Sequence, residues 1–356
     1  MKQLSKMMLA AVASVALATS AYAWDCGASG SSSAKWMTAT TNSGAEGAKA
    51  ITSANFSSSA GGVATMSQVN GGPNFKFAKS MKIDVTTADT SLDVNHAISI
   101  QYRFEDQDIA NSGWEYRDPN SKLNVSFWAK STKAGTYCVF LYSVANTQYN
   151  IVKEYNLAAD TWTYVSLSFK GSNNQIAFDN DNSNGLIVGW TLAAGSNRYE
   201  NVVDDEWILS SSGQGQARYA TSNQVNFFDS TSNIYHLTGV QIEVGAEATD
   251  FEHRSYGEEL ALCQRYFYSW TSSGLSDSIY IKSPYASGTP PNTSASAAYT
   301  FPVTMRANPT MAALTGSAVT NLNRFTSSVH NCCIQHASTS SGGAISLDTW
   351  TAEAEI

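Results

Sequence analysis

The chain has 356 residues, of which 43% are hydrophobic, 11% aromatic and only 14% charged. That apolar content is enough for a core and excludes a disordered tail. A formal net charge of −8 argues against a nucleic-acid partner, which requires a basic surface. Low charge with abundant Ser, Thr, Asn, Gly and Tyr is the texture of an extracellular β-protein, and the length suggests about two domains.

Residues 1–23 read as a cleavable secretory signal. Lys2 and Lys6 form a positive n-region, Met7 to Thr19 an apolar h-region, and Ala21-Tyr22-Ala23 a small-x-small cleavage site. The apolar run is shorter than the roughly 20 residues a membrane span needs, and no other stretch is long and apolar enough, so no membrane span is expected. Residues 24–74 are a Gly/Ser-rich N-terminal segment with a few short strands. The five cysteines, Cys26, Cys138, Cys263, Cys332 and Cys333, are an odd number without zinc spacing. They are expected to be mostly isolated thiols that pack as small apolar groups, with one or two disulfides as the alternative in an exported chain.

From residue 80 the pattern becomes strand-like. SMKIDVT, AISIQYRFE, KLNVSFWAKS, TYCVFLYS, YNIVKEYNL, TWTYVSLSFK, LIVGWTLAA and IYHLTGVQIEV are eight runs rich in β-branched and aromatic residues. Turn signals such as Asp118-Pro119-Asn120 and Asn184-Gly185 separate them. Eight short strands at this spacing predict an all-β fold, a β-sandwich of the jelly-roll kind over 75–255. Period-two alternation assigns faces. Leu123, Val125, Phe127 and Ala129 point to the core, as do Val165, Leu167 and Phe169, and Ile98, Ile100, Tyr102 and Phe104. The outward set is Gln101, Arg103, Asn124, Trp128, Trp162 and Tyr164. A connector helix is expected over 256–270, where Glu258 and Glu259 sit in the first turn and Leu260, Cys263 and Phe267 recur at helical spacing. Residues 271–356 read as a smaller C-terminal β-domain, with DSIYIKSPY, AAYTFPVTM and AISLDTWTAEAEI as strand candidates.

No catalytic constellation stands out: G-x-S-x-G, H-E-x-x-H and Walker A patterns are missing, so the chain is read as non-enzymatic. His253, between Glu252 and Arg254, is expected to pack at the helix entry rather than do acid–base work. Asp204-Asp205-Glu206 could serve a glycosidase, but their loop-like setting predicts a solvated turn. Asp179-Asn180-Asp181-Asn182-Ser183-Asn184-Gly185 is oxygen-rich, yet its Gly is one place later than in an EF-hand and position twelve is Trp190. No cofactor is therefore expected, with calcium the alternative. Trp128, Tyr164 and Tyr142 offer flat apolar faces on which sugar rings stack. If the strands 96–105, 122–131 and 161–170 are neighbours in one sheet, Gln101, Arg103, Trp128 and Tyr164 form one ligand-binding face, with donors beside an indole and a phenol.

The segments SMKIDVTTADTSL (80–92), LNVSFWAKSTKAGTYCVFLY (123–142), WTLAAGSN (190–197) and LTGVQIEVGAEATDFEHRSYGEELALCQRYF (237–267) carry a resemblance. Together they resemble a structural module of marine tailed-phage virion and tail proteins, itself similar to the jelly rolls of carbohydrate-binding modules. The last segment is the most distinctive, through Gln241, Glu243, Gly245, Ala248-Thr249, Phe251-Glu252-His253-Arg254 and Cys263-Gln264-Arg265-Tyr266. FPVTMRANPT (301–310) and the closing TWTAEAEI are similar to the C-terminal part of such proteins, so the resemblance covers roughly three quarters of the chain. Asp250 stands where these proteins usually have Pro, and a secretion signal is unusual among them. The resemblance implies a non-enzymatic virion or tail adhesin. Its partners would be a cell-surface glycan and other virion proteins, and its state a homo-oligomer, with a trimer expected. The alternatives are a secreted bacterial or prophage-derived lectin-like protein and a glycan-degrading enzyme.

Overall fold

The computed structural model describes residues 36–38, 48–52, 62–73, 77–145, 148–200, 205–210, 218–271, 279–282, 294–315, 322–337, 344–347 and 349–354. The signal-like segment 1–23 and most of 24–61 lie outside these residues. Strands β1 (Trp36–Thr38), β2 (Ala48–Thr52), β3 (Val63–Asn70), β4 (Lys79–Thr87) and β5 (Ala97–Glu105) lead into a one-turn helix α1 (Asp106–Ala110). β6 (Lys122–Ser131), β7 (Gly135–Ser143), β8 (Tyr149–Leu157), β9 (Thr163–Lys170) and β10 (Asn184–Ala194) follow. After the short β11 (Tyr199–Glu200), β12 (Ile208–Leu209) and β13 (Ala220–Thr221) comes the long β14 (Ile234–Val244), then helix α2 (Tyr256–Gln264). All eight runs predicted from alternation are strands.

These strands build an all-β jelly-roll sandwich. One sheet has the order β1-β5-β10-β7-β8-β12 and the other β2-β3-β4-β14-β6-β9, with every neighbouring pair antiparallel. Between them lies the main apolar core. Leu123, Val125, Phe127 and Ala129 of β6 meet Ile98, Ile100, Tyr102 and Phe104 of β5 and Leu186, Val188 and Trp190 of β10 in one buried cluster. The Trp190 and Phe127 rings meet edge-to-face across the sandwich at 5.7 Å, and Phe127 meets Tyr155 at 5.2 Å, the geometry that aromatic quadrupoles favour. The polar ends of the buried tyrosines are satisfied. The hydroxyls of Tyr155 and Tyr235 share a hydrogen bond of 2.8 Å, and the Tyr137 hydroxyl donates to the Lys133 carbonyl at 2.9 Å. Burial pushes all three phenols up, so they stay protonated.

The two outer faces differ. Outside the β5-β10-β7 sheet, Ala97, Cys138, Phe140, Val152, Ile187 and Ala220 form a second buried cluster under Tyr142, Tyr199 and Tyr219. Gly189 makes this possible. It faces Phe140 across the β10–β7 ladder, and a Cβ there would lie 2.1 Å from the ring. Cys138 is a buried thiol of this layer, its sulfur accepting from the Thr221 amide at 3.4 Å. The outer face of the other sheet is mixed: Ser80, Asn124, Ser126, Thr238 and Gln241 are buried, Lys82, Trp128 and Lys130 are half-buried, and Tyr164 is exposed.

The chain divides into two compact units between Glu259 and Leu260, inside α2. Ser255 and Glu258 start this helix with a capping box: the Glu258 carboxylate accepts from the Ser255 amide and hydroxyl, both at 2.9 Å, and the Ser255 hydroxyl accepts from the Glu258 amide at 3.4 Å. The second unit holds β15 (Phe267–Thr271), β16 (Ile279–Lys282), β17 (Ser294–Thr300), β18 (Thr310–Thr315), β19 (Leu322–Ser327), β20 (Asn331–Ala337), β21 (Ala344–Leu347) and β22 (Thr349–Glu353). They form sheets of order β15-β22-β18, β16-β21 and β17-β20-β19, with Tyr266, Phe301, Met305, Cys332 and Ala352 buried. The helix expected over 256–270 ends at Gln264: Phe267, expected on it, instead begins β15, because Phe267–Thr271 pair with Thr349–Glu353 of β22.

Candidate functional site

The four residues expected to form one ligand face do not come together. β5 belongs to one sheet, and β6 and β9 to the other. Gln101 and Arg103 therefore lie on one side of the sandwich, and Trp128 and Tyr164 on the opposite side. Gln101 is buried and donates to Ser99 Oγ at 3.0 Å. Arg103 is half-buried beside Tyr219, and desolvation lowers its pKa. Tyr142 lies on this same covered side.

Trp128 and Tyr164 do meet. They are directly paired across the β6–β9 ladder, with ring centroids 5.3 Å apart and planes inclined at 50°. Tyr164 is 46% exposed. The reason is local: alternation in both strands sends Val125, Phe127, Val165 and Phe169 inward, which leaves Trp128 and Tyr164 outside. Beside the pair is a depression of about 330 Å³, whose lining includes Phe77, Ser126, Gly239, Thr249, Asp250 and Phe251.

β14 builds the other side of this depression. The pairing of β14 with β6 shifts register between Thr238 and Gln241. Gly239 and Val240 thus oppose Phe127 alone, a β-bulge with Gly239 at φ +59. The bulge changes parity: Tyr235 and Leu237 are buried before it, and Val240 and Ile242 after it. Gln241 and Glu243 consequently emerge on the outer face. Missing a Cβ, Gly239 also admits the Phe77 ring, whose Cζ would otherwise lie 2.7 Å from that carbon.

Gln241 and Glu243 fold the following loop back. The Gln241 amide nitrogen donates to Thr249 Oγ1 at 3.2 Å and to Glu243 Oε1 at 3.1 Å, while its carbonyl oxygen accepts from the Glu252 amide at 2.9 Å. The Glu243 carboxylate accepts from the Thr249 amide at 2.6 Å and the Thr249 hydroxyl at 2.7 Å. Phe251 then packs on Phe77 at 5.1 Å and on His253 at 4.9 Å. His253 is thus a packing partner before α2. Gln241→Ala is expected to cost about 1–3 kcal/mol, because buried groups lose their partners, and to speed proteolysis within 246–252. Thermal unfolding and limited digestion check this.

The sequence marks Gln241, Glu243, Thr249 and Phe251 as distinctive without revealing this role. The signal that could reveal it is the parity slip between Leu237 and Val240, with a glycine at the slip. The other candidates resolve into local structure. Asp205 pairs with Lys153 at 3.0 Å and Glu206 pairs with Lys170, while Asp204 lies outside the described residues. Asp181 accepts from the Ser183 amide at 2.7 Å, and buried Asp106 accepts from the Asn180 amide at 2.6 Å. Burial raises the Asp106 pKa. Among the described residues no group of three or more His, Cys, Asp or Glu is placed to hold a metal ion.

Fold and site together define an all-β jelly-roll sandwich with an aromatic shelf on one outer face. No family profile matches the chain, and no curated protein does. Among solved structures, it is similar to a family 4 carbohydrate-binding module at 14% identity, covering 55% of this chain and 87% of that one, with a TM-score of 0.28. It is similar to the family 11 carbohydrate-binding module of the cellulosomal cellulase Lic26A-Cel5E of Clostridium thermocellum at 12% identity, 60% and 93% coverage and a TM-score of 0.27. A cyclase from Fischerella sp. TAU matches at 7% identity, 60% and 90% coverage and a TM-score of 0.31.

Proposed function

We propose that this chain is a non-enzymatic glycan-binding protein that holds sugar rings on the Trp128–Tyr164 shelf. The observation that carries the proposal is this cross-strand aromatic pair, outward-facing beside a depression rimmed by Thr249 and Asp250. An indole and a phenol at this angle offer apolar surface to the C–H face of a sugar, and a threonine hydroxyl and a carboxylate offer partners to its hydroxyls. Ion pairing of Asp205 and Glu206 with lysines supports a binding rather than a hydrolytic role.

Within this reading we place the protein in a virion or tail adhesin, acting outside the cell. The resemblance of 237–267 to such proteins supports this, and that same segment builds the rim of the shelf. A single stacking contact contributes on the order of 1 kcal/mol beyond burial, so useful avidity calls on several copies, most simply a trimer. A secreted lectin-like protein exported through residues 1–23 is the second reading, supported by the signal pattern. The test is a glycan array with the full chain, paired with an assay for reducing ends. Binding without release of reducing sugar is expected. Release would establish an enzyme, and silence across the array would reject the shelf. A clean monomer in light scattering would remove the trimer, and genome neighbours other than terminase, capsid and tail genes would favour the secreted lectin.

A further inference from the structure

The shelf has a cationic neighbour. In the same sheet His236 of β14 is paired in register with Lys130 of β6 on one side and with Lys82 of β4 on the other. Alternation puts all three on the outer face, one step along the strands from Trp128, or about 7 Å at the rise of a β-strand. Trp162 closes the row. Its ring lies 5.8 Å from the His236 ring and 5.6 Å from the Lys130 ammonium. The shelf is therefore two rows: Tyr164 and Trp128, then Trp162, Lys130, His236 and Lys82.

Charge in the second row is not evenly held. Lys82 is paired with Asp84 at 2.5 Å. Lys130 has no carboxylate within ion-pair distance among the described residues, and its ammonium rests over the Trp162 indole. Around His236 stand Lys130, Lys82 and Asp84, with Ser80 Oγ 3.4 Å from its Nδ1. Burial and then the two lysines push its pKa down to about 4, so the ring is neutral near pH 7 and available for hydrogen bonds. The other end of the shelf is acidic, with Asp250 at its rim. A protein of net charge −8 thus offers on this face a cation flanked by aromatic rings, an arrangement that suits an anionic substituent on a sugar chain.

We propose that the shelf selects acidic glycans, with a sulfate ester or uronate carboxylate seated at Lys130 beside Trp162 while a neighbouring ring stacks on Trp128 and Tyr164. This rests on the glycan-binding reading above and names its ligand class. The two anions share one chemistry here, a negatively charged oxygen facing an ammonium and an imidazole.

The test uses the full chain and three immobilised probes of matched length: a sulfated galactan, a polyuronate and an unsulfated galactan. The wild type should prefer at least one acidic probe over the unsulfated galactan by about tenfold at low salt. The two acidic arms tell sulfate from carboxylate. Lys130→Gln should bring the acidic-to-neutral ratio toward one, and Lys130→Arg should keep it. Thermal unfolding of both variants guards against loss of fold. Equal or better binding of the unsulfated galactan by the wild type overturns the inference and leaves the glycan-binding reading standing. So does a ratio unmoved by Lys130→Gln. Acidic binding that survives Trp128→Ala but not Lys130→Gln is plain ion attraction and overturns both. Failure to bind any of the three probes overturns the inference, while the glycan-binding reading falls only with silence across the array.

Discussion

Replacing Trp190 by alanine will destabilise the sandwich by about 3–5 kcal/mol. Trp190 is 0% exposed. It stands on β10, which is flanked by β5 and β7 and buried along nearly its whole length. Its ring fills the space between the sheets against Phe127, so truncation removes transfer energy and leaves a cavity whose walls are strands fixed by two ladders. For a unit of this size each kcal/mol lowers the melting temperature by roughly 2–4 °C, which places the expected drop on the order of 10 °C. Chemical denaturation with an unchanged m-value is the measurement. A cost below about 1 kcal/mol would contradict this packing of the two sheets.

The same substitution at Trp128 should do the opposite. Trp128 follows Phe127 on β6 and faces outward, so its removal leaves no cavity between the sheets. The stability lost is that of a cross-strand aromatic pair, about 0.2–1 kcal/mol. Glycan binding should fall at least fivefold, since a stacking surface worth about 1 kcal/mol disappears. Calorimetry on wild type and Trp128→Ala with a probe selected on the array reads both quantities. Melting of Trp128→Ala on the scale of Trp190→Ala would mean that the indole is covered, and the shelf would not be a site.

These two tryptophans mark what is legible in the sequence. β6 and β9 keep their apolar residues on one face, so alternation alone places Trp128 and Tyr164 on the outer one, although Asn124 and Ser126 of that outer face are buried. β5 obeys the same alternation on its inner face, yet Ser99 and Gln101 of its outer face are buried too. A second layer around Tyr219 and Ala220, more than a hundred residues downstream, covers that sheet. Period two says which side chains share a face of one strand. It does not say which strands share a sheet, because β5 pairs with β10 across some eighty intervening residues. Grouping Gln101 and Arg103 with Trp128 fails for that reason. The loop clamp is hidden differently. Gln241 and Glu243 look like ordinary outward polar residues, and only the bulge at Gly239 turns them toward Thr249.

The clamp is also sequence-local. Gln241, Glu243, Thr249 and Glu252 span twelve consecutive positions, and the hydrogen bonds among them close within that stretch, while from outside it Asn124 of β6 adds one bond to the Ala246 carbonyl. The indole and phenol behind the rim belong to strands whose partners are scattered along the chain. The rim can therefore be rewritten at Glu247, Ala248 or Asp250, whose side chains do not form the clamp, without disturbing the long-range pairings that make the sandwich. Such a division separates a short cassette open to point substitution from a platform whose strands depend on distant partners.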